Sequence, residues 1–369
     1  MPFPYFDRTR LKTYPLKGRE NRVLVERDFV ASSAKPAVLP PEKLAIIRET
    51  AVRICQARSR NGPVIMAFGA HMIKNGLGPV LIDLIEKGWI THLATNGAGV
   101  IHDWEFAFQG ASSEHVHANL MEGKFGHWQE TGFYINLALA SGAYAGMGYG
   151  EAIGAMIENE GLLLPEPEAL RQTIIEQHAK NPETAAAAAD LLGIMQKNGI
   201  PGGRHKLEHP YKRCSVQAAA YRSKIPFTAH PMFGHDIIYT HPLNCGAAIG
   251  RTAERDFLSF ANSVSGIDKG VYLSIGSAVM SPMIFEKAFA MAQNLSLQKG
   301  RRIENHYLLV ADLADVKWDW RKDGEPPETH AAYYLRFCKT FSRAGGAMRY
   351  LQVHNRDFLL ALADALRQS

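Results

Sequence analysis

Short apolar runs alternate with amphipathic segments along most of the chain. Six runs of four to six residues, each rich in apolar residues, predict buried β-strands. The predicted strands span 64–68, 90–94, 226–229, 271–275, 307–311 and 348–353. Strands separated by helices are joined by right-handed crossovers into a parallel sheet with helices on its faces. The pattern therefore predicts an α/β fold with a doubly wound, mostly parallel sheet.

The segments between these runs carry apolar residues at spacings of three and four, as amphipathic helices do. In the first segment, Ile47, Ala51 and Ile54 fall on one helical face. Pro41 suits the first residue of that helix, where a missing N–H is tolerated. The predicted helices span 42–58, 77–87, 104–108, 253–264, 282–294 and 354–366.

Two regions depart from this alternation. Prolines recur through residues 1–40 and predict an irregular N-terminal arm. Residues 132–199 are rich in alanine, lack β-type runs and predict three or four helices packed on the sheet. We therefore expect an arm over 1–40 and a single α/β domain over 41–369, with a helical insertion at about 132–199.

Composition and charge are those of an ordinary globular protein. Of the 369 residues, 46% are hydrophobic and 21% are charged, which excludes disorder as a description of the whole chain. Lysine and arginine number 41 against 36 acidic residues, and the excess of five positive charges is not gathered into a patch. Because nucleic-acid binding uses such a patch, no nucleic-acid partner is expected.

The four cysteines lie far apart and form no CxxC pair; they are Cys55, Cys214, Cys245 and Cys338. This spacing argues against a disulfide framework or a cysteine-rich zinc site and fits a reducing compartment. The N-terminus carries charges before any apolar run, unlike a secretory signal. No stretch approaches the roughly 18 apolar residues that a spanning helix needs. The sequence thus predicts a soluble, cytoplasmic protein with no membrane association.

Small residues follow three of the predicted strands and lead into helices. The three turns are Gly69-Ala70-His71 with Asn75 beyond it, Asn96-Gly97-Ala98-Gly99, and Gly276-Ser277-Ala278. Backbone N–H groups in such turns approach an anion closely, and the dipole of the following helix favours negative charge. Because ligands bind at the carboxyl ends of parallel strands, the turns predict a nucleotide or another phosphate-bearing ligand.

The dinucleotide fingerprint G-x-G-x-x-G is incomplete in the second turn. There His102 occupies the position of the third glycine, after Gly97 and Gly99. This substitution predicts a different backbone course or a dinucleotide site of another type. A second glycine series, from Gly146 to Gly154, follows a helical stretch instead of a strand and is interpreted as a helix–helix junction.

Titratable residues follow the second turn directly. His102 is able to transfer protons near neutral pH, and Asp103 and Glu105 are able to orient ribose hydroxyls or bind a cationic substrate. The alternative for Asp103 is that it caps a helix beginning near Trp104.

A second polar cluster runs from His230 to His241 and includes His235 and Asp236. Three histidines and an aspartate raise the question of a metal site, but the H-E-x-x-H pattern is absent and no metal is predicted. Asp236 follows the predicted strand 226–229 and is interpreted as a carboxylate that binds a ligand.

At these motifs the chain resembles the deoxyhypusine synthase family, whose members have a large doubly wound α/β fold, bind NAD and form tetramers. The matching segments, 70–103, 219–241 and 276–279, are spread over about half the chain. The family's second turn reads T-T-A-G-G-V-E-E-D; here Ile101 and His102 replace its two glutamates and Asp103 is retained. The resemblance implies NAD as the cofactor and a substrate contact for Asp236.

The three turns and the family resemblance together predict the residues of a cofactor and substrate site. The predicted NAD-binding residues are Gly69, His71, Asn75, Asn96, Gly97, Ala98, Gly99, Glu105, Gly276, Ser277 and Ala278. The predicted catalytic residues are His102, Asp103, His235 and Asp236.

The chain departs from the family where the family does its chemistry. Family members carry a lysine after a W-G pair near the C-terminus, and it forms the covalent imine. The comparable stretch 326–336 has no lysine, and Arg336 cannot replace it because a guanidinium stays protonated. Lys339 would serve only with a shifted alignment, and Pro282 stands near the family's substrate histidine. Hypusine formation is therefore not expected, and the chain is most similar to a bacterial branch without the lysine.

A second, shorter resemblance involves His102-Asp103-Trp104-Glu105. It is similar to the H-D-x-E that follows an N-A turn in the NAD-using archaeal and cyanobacterial ornithine cyclodeaminases. These proteins have a related cofactor fold and no lysine imine at the same place, which this chain also lacks.

The sequence leads to two hypotheses of different classes. The first is an NAD-dependent transferase or lyase acting on a small cationic amine or amino acid by transient hydride transfer. The alternative is a non-catalytic nucleotide-binding or regulatory protein that retains the fold. The resemblance also implies a homo-oligomer, a dimer or a tetramer, and Phe3, Tyr5 and Phe6 in the arm are candidate interface residues.

Overall fold

The computed structural model describes residues 3–368. Its strands are β1 (Asn21–Leu24), β2 (Val64–Phe68), β3 (His92–Thr95), β4 (Ala111–Glu114), β5 (Gly161–Leu164), β6 (Gly203–Lys206), β7 (Phe227–Ala229), β8 (Val271–Ile275), β9 (Tyr307–Asp312) and β10 (Ala347–Gln352). Its helices are α1 (Val25–Asp28), α2 (Pro41–Arg58), α3 (His71–Lys74), α4 (Gly78–Glu86), α5 (Gly97–Gln109), α6 (Val116–Met121), α7 (Gln129–Ala145), α8 (Tyr149–Glu158), α9 (Pro167–Gln177), α10 (Pro182–Asn198), α11 (Val216–Arg222), α12 (Gly246–Ser265), α13 (Met280–Gln298), α14 (Trp320–Asp323), α15 (Arg336–Arg343) and α16 (Asn355–Arg367). Across these described residues, no helix has both the length and the apolar character that crossing a bilayer requires.

Six parallel strands form the central sheet in the order β10-β9-β8-β2-β3-β7. Numbered along the chain, these strands have the order 3-2-1-4-5-6 of the doubly wound dinucleotide-binding fold. The predicted α/β fold with a doubly wound parallel sheet is confirmed, and each of the six predicted strands is present to within two residues at either end. The strand order reverses between β2 and β8.

Side chains of the sheet alternate between two hydrophobic cores. Val64, Met66 and Phe68 of β2 pack with helices α2, α4, α5, α8, α11 and α16 on one face. Ile65 and Ala67 pack with α12, α13 and α15 on the other face. Because the strands are buried on both faces, their sequences are nearly continuous apolar runs.

The region predicted as a helical insertion contains helices α7 to α10, and α9 and α10 share a small core with one side of α7. The prediction that 132–199 has no strand was wrong, because β5 lies in it and pairs antiparallel with β6 beyond α10. β5 is only four residues long, and its partner is distant in sequence. The glycine series lies only partly at a helix–helix junction: Gly146, which has a left-handed conformation, and Gly148 separate α7 from α8, whereas Gly150 and Gly154 lie within α8.

The N-terminal arm is more regular than its prolines predict. β1 pairs antiparallel with β4, α1 follows it directly, and Leu16 is buried in the core of the same chain. Phe3, Tyr5 and Phe6, by contrast, are 76%, 74% and 81% exposed in the single chain. The homo-oligomer stays a prediction, and these three side chains are available to it.

Candidate functional site

Two of the three turns meet at the carboxyl edge of the sheet, where the strand order reverses. A Cβ on Gly69 would lie only 2.2 Å from the carbonyl oxygen of Gly276, so only glycine fits there. The N–H of Gly69 donates to the carbonyl of Ile275 at 3.2 Å. Gly276 has a φ of +54°, and the Asn355 side chain lies against its α-carbon. The first and third turns are therefore in contact with each other, at the edge of the sheet where such folds bind ligands.

Each of the three turns presents a free backbone donor beside a small side chain. Ala70, Ala98 and Ala278 each lie in one turn, and all three are at least partly exposed. Among the described residues, no group accepts a hydrogen bond from their backbone N–H groups. An anion with several oxygens, such as a pyrophosphate, would satisfy such donors. The turns therefore fit the phosphates of a dinucleotide.

The second turn proved to be the start of α5 and not a loop. α5 begins at Gly97, and the Asn96 Oδ1 caps it by accepting from the N–H of Gly99 at 3.0 Å. The prediction that this helix begins near Trp104 was wrong, because the cap moves its start to the end of β3.

The two glycines of the second turn are required by packing inside the protein. A Cβ on Gly97 would lie 2.1 Å from Oδ2 of Asp236, and one on Gly99 would lie 2.3 Å from Oγ1 of Thr95. Both glycines are buried, whereas Asn96 and Ala98 are partly exposed. Of the predicted cofactor contacts in this turn, only Asn96 and Ala98 are therefore open to a ligand.

The other predicted cofactor contacts differ in accessibility. Ser277 is buried, and its Oγ accepts from the N–H of Ser281 at 3.1 Å, which stabilises the start of α13. His71 and Asn75 are exposed. Asn75 lines a cavity of about 440 Å³ together with three cationic residues, Arg22, Lys74 and Arg356, two acidic residues, Asp28 and Asp357, and the start of α16. The charges around the first turn are therefore mixed, with one cation in excess.

Asp103 has a structural position that its sequence neighbours do not indicate. Its carboxylate is buried and accepts from the Ser215 hydroxyl at 2.6 Å, the Val216 N–H at 2.9 Å, and the N–H and side-chain amide of Gln217. Burial raises its pKa, and these hydrogen bonds oppose the rise. Asp103 therefore holds the N-terminus of α11 against α5 and does not cap its own helix, and its carboxylate is not open to a substrate.

Glu105 and His102 form a second internal network. Glu105 makes a two-pronged ion pair with Arg19 at 2.6 and 2.8 Å, with both side chains buried, and accepts from Thr131 and Ser112. His102 Nδ1 lies 2.7 Å from the same Ser112 hydroxyl, and burial lowers the His102 pKa to about 4. The proposed cofactor contact of Glu105 is thus replaced by a link between α5 and the arm.

Asp236 is the predicted site residue whose carboxylate lacks a full set of partners. It is buried beside Gly97 at the N-terminus of α5, and its Oδ2 accepts no hydrogen bond from the described residues. Burial raises its pKa to about 7. The buried hydroxyl groups of Tyr149 and Tyr239 interact electrostatically with it and also lack hydrogen-bond partners. A buried carboxyl group that titrates near neutral pH is typical of functional sites.

A cavity of about 620 Å³ opens on the other side of the third turn. Three segments line it: the loop from His230 to Met232 after β7, the third turn with the start of α13, and the segment from Tyr334 to Phe337. Its volume is in the range of small-molecule sites. His235 and Asp236 do not line it, and His235 is exposed on the loop beyond.

His230 is a functional candidate that the sequence analysis considered only as part of a possible metal cluster. Its Nε2 lies 3.0 Å from the Thr228 hydroxyl, which is 2.9 Å from Nε2 of His92, and His92 Nδ1 is 2.8 Å from the Ser263 hydroxyl. Burial lowers the pKa of His230 to about 3, so the ring is neutral. Among the described residues nothing is bonded to its Nδ1. The signal was available, since His230 directly follows β7.

Comparison with known proteins gives structural likeness only. No family model and no curated protein sequence matches the chain. A ternary complex of AgrE with ornithine and NAD+ has 13% identity and a TM-score of 0.44, over 90% of this chain and 34% of AgrE. A LOR/SDH-type protein of Methanococcus maripaludis S2 has 13% identity and a TM-score of 0.42, over 92% of this chain and 74% of its own. ArgZ, a cyanobacterial arginine dihydrolase, has 12% identity and a TM-score of 0.41, over 90% of this chain and 33% of ArgZ. The chain thus spans about a third of the length of AgrE and ArgZ.

Proposed function

We propose that the chain is an NAD-binding enzyme acting on a small amine or amino acid. The observation that carries the proposal is the 3-2-1-4-5-6 strand order, with free backbone donors in three turns at the edge where that order reverses. Membership in the deoxyhypusine synthase-like group is part of the proposal and rests on the sequence motifs. Hypusine formation is not, because Lys339 does not line the cavity and its ammonium packs on the ring of Tyr333 at 3.6 Å.

The chain's own residues suit a dinucleotide in this position. Ala70 and Ala98 donate to phosphate oxygens through their free backbone N–H groups, and the cavity beside Asn75 has one more cationic than acidic residue in its lining. Ala278, in the third turn, lies between this edge and the 620 Å³ cavity. NAD, when bound, supplies a hydride acceptor, and the cavity beside the third turn holds the carbon that loses the hydride.

Two titratable groups near the proposed site are suited to proton movement. Asp236 has a carboxyl group with a pKa of about 7 and an unpartnered Oδ2, so at neutral pH it is present in both protonation states. It lies beside Gly97 and does not line the 620 Å³ cavity, whereas His230 is neutral and lines it. Asp236 is proposed as a proton acceptor beside the second turn, and His230 as the residue that hydrogen-bonds the substrate.

The cofactor is tested by calorimetric titration with NAD, NADH and NADP. We expect micromolar NAD binding, and at least tenfold weaker binding in Ala98→Asp and Ala278→Asp, because each introduced carboxylate repels a phosphate. Ala118→Asp, an exposed change on α6, is the matched control and should bind NAD as the unmodified protein does. Absence of binding to all three dinucleotides would contradict the proposal.

Asp236→Asn separates a functional carboxylate from a structural one. We expect turnover, assayed over a panel of amines and amino acids with NAD, to fall at least about 100-fold.

Because burial raises the Asp236 pKa from 3.8 to about 7, ionisation of Asp236 lowers the free energy of unfolding as pH rises from about 4 to 7. The variant should therefore gain about 2–4 kcal/mol of unfolding free energy at pH 8 and nothing at pH 4. Asp315→Asn, exposed, is the control; a loss of stability at pH 8 would show that the Asp236 charge supports the fold.

The rival function is nucleotide binding without turnover. It is favoured by the burial of Asp103 and Glu105, because two of the acidic residues expected at the site are engaged inside the protein. Dinucleotide binding without oxidation of any amine or amino acid in the same panel would support the rival.

A further inference from the structure

The cavity beside the third turn points to a particular substrate class. We infer that it binds an α-amino acid with an apolar side chain, aliphatic, thioether or aromatic, and not the basic amine that the sequence predicts. This inference rests on the proposed function and specifies the substrate of the same site.

The wall of the cavity is largely apolar. Met280 and Met283 from α13, Ile284 behind them, and Phe337 at the start of α15 present carbon and sulfur to the cavity. At its mouth, Val279 is 56% exposed and Tyr334 is 74% exposed. Flexible thioethers adapt to irregular apolar ligands, and exposed apolar side chains around a cavity favour an apolar occupant.

The charges of the lining exclude a basic side chain. Among the described residues, no aspartate or glutamate lines the cavity, so a basic side chain would lose its hydration there without a counter-charge in the lining. The one charged residue of the lining is Arg336, an exposed arginine whose Nη1 donates to the sulfur of Met283 at 2.9 Å. Glu286 interacts with Arg336 electrostatically, but the ion pair that it forms is with Lys287. An exposed guanidinium at the rim of an apolar cavity is complementary to a carboxylate.

His230 is a polar group of the cavity lining. It lines the cavity, is more than nine-tenths buried, and has its Nε2 within hydrogen-bond distance of the Thr228 hydroxyl. In the tautomer with the proton on Nε2, its Nδ1 would accept a hydrogen bond from a substrate amino group. A carboxylate at Arg336, an amino group at His230 and an apolar side chain among the methionines together describe an apolar amino acid.

The test is calorimetric titration of the full-length protein with L-leucine, L-methionine and L-phenylalanine, against L-ornithine and 1,4-diaminobutane, with and without saturating NAD. We expect at least one apolar amino acid to bind at least tenfold more tightly than either basic compound. Arg336→Gln should weaken that binding at least tenfold. Arg343→Gln on the same helix, which removes a pair with Glu325 and an interaction with Tyr333, neither of which lines the cavity, should leave it unchanged. Val279→Glu, which adds the missing carboxylate at an exposed position, should shift preference toward ornithine.

Several results of the titrations would overturn the inference. In the first, a basic compound binds as tightly as every apolar amino acid does. In the second, Arg336→Gln binds the apolar amino acid as the unmodified protein does, and in the third none of the five compounds binds. A change of oligomeric state in Tyr334→Glu, measured by light scattering, would also overturn it, because a second copy of the chain would then cover the mouth. Failure of NAD alone to bind contradicts the proposed function and leaves the amino acid titrations without NAD to decide this inference.

Discussion

Replacing Arg19 by methionine is expected to lower the free energy of unfolding by about 3–5 kcal/mol. Arg19 and Glu105 form an ion pair whose side chains are 2% and 1% exposed, and the guanidinium also lies 5.4 Å from the ring of Trp128. The substitution leaves the Glu105 carboxylate buried with only the Ser112 and Thr131 hydroxyls as partners. Denaturant unfolding monitored by circular dichroism measures the loss.

Two further variants show whether the buried charge is the cause. Arg27→Met removes an ion pair with Asp28 whose arginine is 60% exposed, and should change stability by less than about 1 kcal/mol. The double variant Arg19→Met with Glu105→Met removes both charges and should recover much of the loss. A double variant as unstable as Arg19→Met alone would show that packing and not charge is responsible.

Lowering the pH from 7 to 5 is expected to destabilise the protein by several kcal/mol. Six histidines have pKa values lowered by burial, to about 3 for His92 and His230 and about 4 for the others. The others are His102, His209, His241 and His306. They stay neutral in the fold but take up protons near pH 6.5 when unfolded, so their stabilisation is present above about pH 6.5 and is lost as pH falls toward 4.

Two buried carboxyls act in the opposite direction. Burial raises the pKa of Asp236 to about 7 and that of Asp256 to about 8, so they hold protons in the fold that the unfolded chain has released. Near pH 5 unfolding then takes up between about three and four protons, a slope of about 5 kcal/mol per pH unit.

A single histidine variant tests this account. His209→Phe, buried between the rings of Trp104 and Phe108, should reduce the slope by about 1.4 kcal/mol per pH unit. His178→Gln, on the surface, should not change it. Equal slopes in His209→Phe and the unmodified protein would contradict the assignment.

The sequence predicted the sheet well because each central strand is buried on both faces. A strand such as Val64–Phe68 then shows as an uninterrupted apolar run, and helices between the runs imply parallel crossovers. The small antiparallel pairs were missed because their four-residue strands depend on distant partners, as in β5 with β6.

The site was predicted less completely, for a related reason. The three turns and Asp236 could be proposed as site residues because they follow strands, and position after a strand is visible in the sequence. Asp103 was assigned to a ligand because its partners, Ser215 to Gln217, lie more than a hundred residues away. Arg336 was considered only as a residue that cannot replace the imine-forming lysine, because nothing in the neighbouring sequence shows that it lies at the mouth of an apolar cavity.

The contact between the first and third turns affects how relatives of this chain should be compared. Gly69 is excluded from having a side chain by the backbone of Gly276, and Gly276 is held by its own left-handed conformation and by Asn355. Selection would therefore retain both glycines in descendants that had lost every ligand. Divergence of activity would be recorded instead at Ala70, Ala98 and Ala278, where a larger or charged side chain costs the fold little but closes the turn. Substitutions at these alanines, and not retention of the glycines, would distinguish relatives that still bind the ligand from relatives that have lost it.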